Sequence, residues 1–331
     1  MGVIRLAVDA MGGDFAPAEI VAGAVRGARD FNLGLSLVGD LEAIQQELDH
    51  LETNDVDFEI VHARDVIRME DDPARAVRDH PDASINVSCR LVNEGRADGV
   101  LTMGHTGAGM IAALFNFGRI SGVERPAAIV PFLGLREHLY LIDVGANTEV
   151  RPSHLLQFAQ MGAAYAKYAG GIPNPCIGLL SNGAEPNKGN KVGREAYQLL
   201  ANAKGLNFGG NVEGHTMLSG EFNLIVSDGF AGNLVFKAAQ GIVARLLSQV
   251  EAILPELPPE PASILKIRLE EIREFNHYSH YGASTLLGVN HPMFIGHGRS
   301  RAQAVYHGMS TAGRMIAADV VGKIRDALSL E

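Results

Sequence analysis

Tryptophan is absent from this sequence, and its 331 residues include only two cysteines, Cys89 and Cys176. These cysteines lie far apart in apolar stretches, so they form neither a disulfide framework nor the ligand spacing of a metal site. No apolar run approaches the ~20 residues that span a bilayer, and Asp9 interrupts the N-terminal run where a signal peptide stays apolar. The absences predict a protein of a reducing compartment such as the cytoplasm, soluble or at most peripheral to a membrane.

Basic residues are also in deficit, because 28 Lys and Arg face 38 Asp and Glu and leave a formal net charge of −10. This balance argues against nucleic-acid binding and requires any anionic ligand to meet a local basic patch. Glycine, in contrast, is abundant at 38 residues. Since no Gly-X-Y period accompanies it, we expect the glycines at defined turns.

Short apolar runs alternate along the chain with longer segments of helical period. This alternation is typical of buried parallel strands with crossover helices, and it predicts the α/β class with a mostly parallel sheet. The predicted strands cover residues 4–8, 35–38, 58–61, 99–103, 127–132, 139–144, 176–180 and 224–227. The predicted helices cover residues 18–29, 41–51, 84–94, 152–168, 191–203 and 301–326.

One segment departs from this rhythm and predicts a helical hairpin over residues 233–277. A helix over 233–254 leads to a Pro-rich tip at 255–261, and a second helix returns over 263–276. Its apolar positions exceed what one buried stripe requires: Leu246, Leu247, Val250, Ile253, Leu254, Ile264, Leu265, Ile267, Leu269, Ile272 and Phe275. The surplus favours contact with a partner, a dimer mate or a lipid surface; alternatively, both helices close over the sheet.

Glycines and small polar residues follow several predicted strands. Because parallel strands end at one edge of a sheet, these residues are predicted to converge on one rim. There glycine lets the backbone approach a ligand, and helix N-termini present N–H groups to anions. The residues are Asp9, Gly12, Gly13, Gly104, His105, Thr106, Gly107, Asp143, Asn147, Asn182, Asp228, Gly229, Gly232 and Asn233. The rim therefore predicts a site for phosphate or a developing oxyanion, although tight turns need glycine without any ligand too.

The segment 188–191 is a second signal of anion binding, because Lys188 and Lys191 precede or open a predicted helix. The helix dipole makes positive charge unfavourable there by about 0.3 to 1 kcal/mol, and a bound anion would remove the conflict. The alternative is two surface ion pairs, Lys188 with Glu185 and Lys191 with Glu195.

The aspartates and histidines of the rim leave several roles open. Clustered carboxylates repel phosphate unless they cap helices, orient the substrate, act as acid or base, or hold a divalent cation; capping is the simplest interpretation. The loop histidines His105, His215, His291 and His297 can protonate a leaving group or steady an oxyanion. Lys237 and Ser300 complete the polar set.

Several catalytic motifs are missing from the sequence. It carries no Walker A loop, no Gly-x-Gly-x-x-Gly, no Gly-x-Ser-x-Gly elbow and no His-Glu-x-x-His. Nucleotide folds and a covalent nucleophile are therefore disfavoured, and we expect no cofactor and no metal. What remains is a site that holds an anion, which suits attack by phosphate on an activated carbonyl.

Short motifs stand in a recognisable order along almost the whole chain. They are Asp-Ala-Met-Gly-Gly-Asp at 9–14, Gly-His-Thr-Gly-Ala at 104–108, Arg-Pro-Ala at 125–127, Asp-Val-Gly-Ala-Asn at 143–147, Gln-Phe-Ala-Gln-Met-Gly at 157–162, Lys-Gly-Asn at 188–190, Gly-Asn-Val-Glu-Gly at 210–214, Ser-Asp-Gly-Phe-Ala-Gly-Asn at 227–233, Leu-Leu-Gly-Val at 286–289 and His-Gly-Arg-Ser at 297–300. In this set the chain resembles the bacterial phosphate acyltransferases of phospholipid synthesis. It departs from them at His105, where the family usually has Asn, and at Ala184, where it usually has an acid.

The resemblance implies a three-layer α/β/α fold like that of isocitrate and isopropylmalate dehydrogenases. It implies transfer of a fatty acyl chain from acyl carrier protein to inorganic phosphate, with glycerol-3-phosphate acyltransferase as the user of the acyl phosphate. It also implies a homodimer and peripheral contact with the cytoplasmic membrane face. One catalytic unit is expected over residues 1–331, with a division into two lobes left open. The carrier is expected to dock at Lys266, Arg268 and Arg273, unless neighbouring glutamates pair with these arginines.

Residues and resemblance together assign roles at the site. The expected catalytic residues are Lys188, His105, Asp228 and Asn233. The expected phosphate or substrate ligands are Asp9, Gly12, Gly13, Gly104, Thr106, Gly107, Asp143, Asn147, Asn182, Gly189, Asn190, Gly229, Gly232, His297 and Ser300. A metal- and NAD-dependent dehydrogenase of the same fold and a non-enzymatic membrane-associated scaffold are the alternatives.

Overall fold

The structure is a computed structural model that describes residues 2–132, 139–276 and 282–329, with side chains except at 274–276 and 329. The strands are β1 Arg5–Asp9, β2 Gly34–Gly39, β3 Phe58–His62, β4 Gly99–Thr102, β5 Ala127–Pro131, β6 Tyr140–Ile142, β7 Cys176–Leu180, β8 Asn207–Val212, β9 Leu224–Val226, β10 Ser284–Leu287 and β11 Met293–Ile295. The helices are α1 Ala18–Phe31, α2 Leu41–Leu48, α3 Pro73–Asp79, α4 Ser84–Asn93, α5 Thr106–Phe117, α6 Pro152–Tyr168, α7 Lys191–Asn202, α8 Gly229–Ala252, α9 Pro259–Asn276, α10 Ala302–Ala317 and α11 Val320–Ser329, and a 3-10 turn covers Leu254–Glu256.

All the strands belong to one mixed sheet in the order β3-β2-β1-β4-β11-β10-β5-β6-β9-β7-β8. On one side of it, β1 pairs in parallel with β2 and β4, and β4 with β11. On the other side, β6 pairs in parallel with β9, β9 with β7, and β7 with β8. Between them β10 is antiparallel to β11 and β5, and β5 is antiparallel to β6. The sheet therefore contains two parallel groups of strands that point in opposite directions.

Both faces of the sheet are buried, because successive side chains of a strand point to opposite faces. In β1, Leu6 and Val8 join a core under α1, α2, α6, α7, α10 and α11, whereas Ala7 joins a core under α3, α4 and α5. A third core packs Phe236 and other residues of α8 against β5, β6 and β9. Helices thus cover the sheet on both sides, and the predicted three-layer α/β/α fold is confirmed.

The predicted strands are all present, with ends that differ by at most two residues. The sequence analysis missed β8, β10 and β11, together with α3 and α5. Two adjacent glycines, Gly209 and Gly210, dilute the apolar pattern of β8. The strands β10 and β11 have only four and three residues, too few to establish a period.

The prediction of a single helix over 301–326 is wrong. Asp319 adopts a left-handed conformation with φ 48°, which ends α10 before α11 begins. Aspartate enters that region more readily than most residues, since its short polar side chain can bond to local backbone. The Gly322 N–H does donate to Asp319 Oδ1 at 3.3 Å.

The predicted helical hairpin is present, although α8 begins at Gly229 and α9 at Pro259, earlier than expected. Residue 277 and the side chain of Phe275 lie outside the described parts. Helix α9 packs mainly on α8 and the 3-10 turn rather than over the sheet. Leu247 and Leu269 are buried in the hairpin, whereas eight large apolar side chains of residues 229–273 are exposed: Phe230, Leu234, Ile242, Leu246, Ile253, Ile264, Ile267 and Ile272.

Candidate active site

The residues predicted for one rim lie at two opposite edges of the sheet, because β10 and β6 reverse the strand direction. We call the carboxyl ends of β1, β4 and β11 the first edge. It carries Asp9, Gly12, Gly13, Gly104, His105, Thr106, Gly107, His297 and Ser300. The second edge, at the carboxyl ends of β6, β7 and β9, carries Asp143, Asn147, Asn182, Lys188, Gly189, Asn190, Asp228, Gly229, Gly232 and Asn233. The expectation of a single rim is therefore wrong.

At the first edge, Asp9 ends β1 and is only 3% exposed. Thr102 Oγ1 donates to Asp9 Oδ2 at 2.7 Å, and the Gly104 N–H donates to Thr102 Oγ1 at 3.0 Å. Burial raises the pKa of Asp9, while hydrogen bonds from Ser84 and Thr102 oppose that rise. A Cβ on Gly12 would lie 2.6 Å from Asp9 Oδ2, so glycine is needed where the two loops meet. Asp9 thus joins the β1 loop to the β4 loop.

His105 caps the N-terminus of α5. Its Nδ1 accepts the N–H groups of Gly107 at 3.0 Å and Ala108 at 3.4 Å. A ring nitrogen that accepts a hydrogen bond bears no proton, so the neutral ring carries its proton on Nε2. His105 therefore offers one N–H donor beyond the cap.

The loop after β11 is organised around His297. The His297 N–H donates to Oγ of the buried Ser300 at 3.3 Å, and the Arg299 N–H donates to His297 Nδ1 at 3.3 Å. Burial lowers the pKa of His297, nearby Lys237 and Arg299 lower it further, and Asp14 raises it. The imidazole is thus kept neutral beside two cations.

At the second edge, Asp143 folds the loop after β6. Its Oδ1 accepts N–H groups from Ala128 at 3.0 Å, Gly145 at 3.2 Å and Ala146 at 3.0 Å. Its Oδ2 accepts the backbone N–H of Asn147 at 2.7 Å and the side-chain amide at 3.0 Å. Burial raises the pKa of Asp143, and these hydrogen bonds oppose the rise. The carboxylate is fully engaged within the loop.

The loop after β9 leads into α8, which Asp228 caps by accepting the Ala231 N–H at 2.7 Å. The glycines of this turn allow α8 to approach the β6 loop closely. A Cβ on Gly229 would lie 2.9 Å from Asp143 Oδ2, and one on Gly232 would lie 2.0 Å from the Asp143 carbonyl oxygen. Packing therefore accounts for these two glycines.

The loop after β7 carries Lys188, which is exposed to solvent. Asn182 Oδ1 accepts the Gly189 N–H at 2.9 Å, and Asn190 caps α7 by accepting the Gly193 N–H at 2.7 Å. These amides fix the loop by short-range hydrogen bonds.

The ion-pair alternative for this loop holds for one lysine. Lys191 Nζ lies 4.0 Å from Glu195 Oε1, one turn along α7. For Lys188, the described residues show a backbone hydrogen bond instead, from its N–H to the Glu185 carbonyl at 3.0 Å.

Helix α8 connects the two edges. It starts at the second edge and runs back across the sheet, as a crossover helix does after its strand. Between α8 and the first edge lies a cleft of about 330 Å³. Its polar lining comes from Thr106, His297 and Arg299 at the first edge and from Asn233, Lys237 and Gln240 on α8. Its apolar lining includes Val130, Val144, Phe236 and Ile295.

Of the predicted site residues, the cleft brings together Thr106, Asn233 and His297. Asn233 is held in place because its Nδ2 donates to the Val144 carbonyl at 2.7 Å. The sequence analysis missed Arg299 and Gln240 and assigned no role to Lys237. Positions 233, 237 and 240 share one face of a helix, so their spacing could have grouped them.

The described ranges contain neither a cluster of metal-binding side chains nor a membrane-spanning helix. No group of three or more His, Cys, Asp or Glu side chains is placed there to hold a metal ion. Over the same ranges, no helix is long and apolar enough to cross a membrane.

Sequence comparison identifies relatives over nearly the full length of the chain. The profile of a family described as fatty acid synthesis protein matches residues 4–323. A phosphate acyltransferase of Geobacillus sp. (strain WCH70) is 42% identical over 330 residues, which cover 98% of this chain and 98% of the relative.

Solved structures with the same architecture are more distant in sequence. A phosphotransacetylase from Streptococcus pyogenes superposes with a TM-score of 0.65 at 17% identity, over 95% of this chain and 94% of that one. A 4-hydroxythreonine-4-phosphate dehydrogenase from Klebsiella pneumoniae gives 0.56 at 12% identity, over 95% and 100%. Identities this low show the fold alone, and the second likeness confirms the expected dehydrogenase-like architecture.

Proposed function

We propose a specific reaction for this chain, which belongs to the fatty acid synthesis protein family: transfer of an acyl group from acyl carrier protein to inorganic phosphate. Its relatives are phosphate acyltransferases, so the chain is a transferase that moves an acyl group to phosphate. The proposal adds the carrier thioester as donor. A glycerol-3-phosphate acyltransferase would then use the acyl phosphate. These relatives support neither the dehydrogenase nor the scaffold alternative.

The cleft between α8 and the first edge is the observation that carries the proposal. Its polar wall includes Lys237 and Arg299, and its apolar wall includes Val130, Phe236 and Ile295. A thioester joins an apolar acyl chain to the carbonyl that a phosphate anion attacks, so the reaction needs both surfaces side by side.

In the proposed step, a phosphate oxygen attacks the thioester carbonyl carbon, the C–S bond breaks, and sulfur leaves as the thiolate. The thiol has a pKa of about 8.5, so its departure needs no strong acid. The oxyanion of the intermediate would accept N–H groups from residues 104–107 or 229–233. Those of Gly104, Gly107, Gly229, Ala231 and Gly232 already donate within the fold, so the oxyanion would take the other N–H groups of these segments. Loss of one such donor typically costs about 10² to 10³ in rate. The Nε2–H of His105 would assist beside them.

The proposed catalytic residues contribute in different ways. Asn233 lines the cleft directly. Asp228 caps the helix that carries Asn233, so it acts by fixing that helix. Lys188 remains a predicted catalytic residue, but it lies at the second edge and outside the lining of the cleft, so it would offset phosphate charge only where the phosphate reaches that edge.

Carrier docking is proposed on α9, where the two arginines already have partners. Arg268 Nη1 lies 2.7 Å from Glu271 Oε2, and Arg273 pairs with Glu270 at 2.9 Å and with Glu251. Exposed Lys266 forms no ion pair within the described ranges, so it is the stronger docking residue for an acidic carrier. Lys266→Glu should weaken carrier binding, with Lys204→Glu on a remote surface as control. Equal carrier affinity of the two variants would move the dock elsewhere.

The homodimer and the peripheral membrane contact are proposed on the hairpin. Phe230, Leu234, Ile242 and Leu246 form an exposed apolar stripe along α8, with exposed fractions of 61%, 55%, 59% and 55%. An apolar stripe this long is typical of a helix that packs on a partner. Leu246→Lys should therefore yield monomers in sedimentation, whereas a persistent dimer would exclude the stripe as the contact.

The reaction itself is tested with purified chain and an acyl carrier thioester, with and without phosphate. Thiol release and acyl phosphate that appear only with phosphate support the transfer. Lys188→Ala should lower the rate relative to Lys191→Ala, the neighbouring ion-paired lysine, and full activity would remove Lys188 from the mechanism. Thioester turnover without phosphate, or reduction of NAD, would overturn the proposal.

A further inference from the structure

We infer that Lys237, Arg299 and His297 form a subsite in the cleft for a phosphoryl group. Two sources share this chemistry: inorganic phosphate, and the phosphodiester of a carrier protein's prosthetic arm. The inference deepens the proposed function and rests on it only for the source of the phosphoryl group. An anion site at these residues can be tested without turnover.

The three side chains come from two elements that both line the cleft. Arg299 and His297 belong to the loop after β11, and Lys237 lies in the third turn of α8. Lys237 and Arg299 are close enough to His297 to lower its pKa. Two fixed cations thus gather around a ring that can gain a third positive charge, in a chain with a net charge of −10.

The charges around His297 favour an anion even after the nearest acid is counted. Asp14 also acts on His297, and it is held nearby because its N–H donates to the Gly298 carbonyl at 2.8 Å. Among the described residues, the charges that act on His297 are two cations and one carboxylate, so their sum is positive. Thr106 lines the same cleft as the first residue of α5, so the N-terminal dipole of that helix adds to the positive potential.

The chemistry of the side chains suits a phosphoryl group. Arginine presents a planar fork of N–H donors that matches phosphate oxygens, and lysine adds a point charge. Phe236 and Val144 line the cleft on its apolar side, where an acyl thioester would lie next to the anion. The exposed Lys188 loop, at the second edge, contributes none of the residues that line this cleft.

Binding is measured first with inorganic phosphate alone, by calorimetry and by the NMR shift of the His297 ring protons. In the unmodified chain, phosphate should move these resonances and raise the measured pKa of His297. Lys237→Met and Arg299→Gln should each weaken phosphate binding by about tenfold or more, since a charge-assisted hydrogen bond is lost. Lys204→Met, a remote exposed lysine, is the matched control, and Lys237→Arg should restore most of the affinity.

Steady-state kinetics then distinguish the two sources. A rise in the KM for phosphate with an unchanged KM for the thioester identifies inorganic phosphate as the occupant, whereas the reverse pattern identifies the carrier's phosphodiester. Phosphate binding and both KM values unchanged in folded Lys237→Met and Arg299→Gln would overturn the inference while leaving the acyl transfer intact. Phosphate-induced shifts at His297 without thiol release would support the subsite and reject the transfer.

Discussion

Replacing Gly232 with alanine tests how closely α8 packs on the loop after β6. The added Cβ would lie 2.0 Å from the carbonyl oxygen of Asp143, well inside contact distance, and the obstacle is backbone that cannot rotate away. Overpacking of this kind costs about 1 to 3 kcal/mol, and alanine returns up to about 1 kcal/mol of helix propensity. We expect a net loss of about 2 kcal/mol in the free energy of unfolding.

The same substitution should impair catalysis, because α8 must shift and carry Asn233 and Lys237 with it. A misplacement of about 1 Å can lower turnover about 10²-fold. Urea titration measures the free energy of unfolding, and acyl-phosphate formation measures the rate.

Gly241→Ala on the same helix is the matched control, since a Cβ at that position would meet no atom within 4 Å and a gain of about 0.5 to 1 kcal/mol is expected. If Gly232→Ala were as stable and active as Gly241→Ala, the close packing of α8 on the loop after β6 would be refuted.

Substitutions at three further positions separate structural from chemical roles. Burial raises the pKa of Asp9 above its usual 3.8, so ionised Asp9 destabilises the folded state; this destabilisation is absent below pH 3.8 and grows as the pH rises through the folded-state pKa. The melting temperature of Asp9→Asn minus that of the native chain should therefore be larger at pH 7 than at pH 4. The same difference at both pH values would refute this. His105→Ala should lose the cap of α5 at a cost of about 0.5 to 2 kcal/mol in thermal unfolding, whereas His105→Asn should keep it; equal stability would contradict the capping geometry. Asp228→Asn should retain acyl transfer that Asp228→Ala loses, because asparagine preserves the cap of α8; an inactive Asp228→Asn would point to a need for the charge.

The sequence predicted most of the sheet because its buried strands are mainly short apolar runs, as in Leu224–Val226. It could not reveal the three antiparallel pairings, of β11 with β10, β10 with β5 and β5 with β6. Strand direction depends on which strands become neighbours, and the local pattern of β10 or β6 carries no record of that pairing. The prediction of one rim failed for this reason alone, since the turns that formed it are present at both edges.

For the candidate site, local motifs were informative about turns and less informative about ligands. Asp143 and Gly232 sit in conspicuous motifs, and hydrogen bonding and close packing account for both. Lys237 lies four residues beyond such a motif and Arg299 lies within one, and both line the cleft. Their proximity depends on the path of α8 across the sheet, which no short segment of sequence encodes.

Helix α8 has a mechanical consequence. Its 24 residues form a rod of about 36 Å. Asn233 and Lys237 lie in the first three turns of α8, whereas Leu246 and its apolar neighbours protrude from the C-terminal half. Because the helix is stiff, a tilt at one end is transmitted to the other end. A contact on the protruding half would therefore also change the orientation of the Asn233 amide and the Lys237 ammonium relative to the reactants. The contact proposed for the protruding half and the proposed reaction would therefore be mechanically coupled through this one helix.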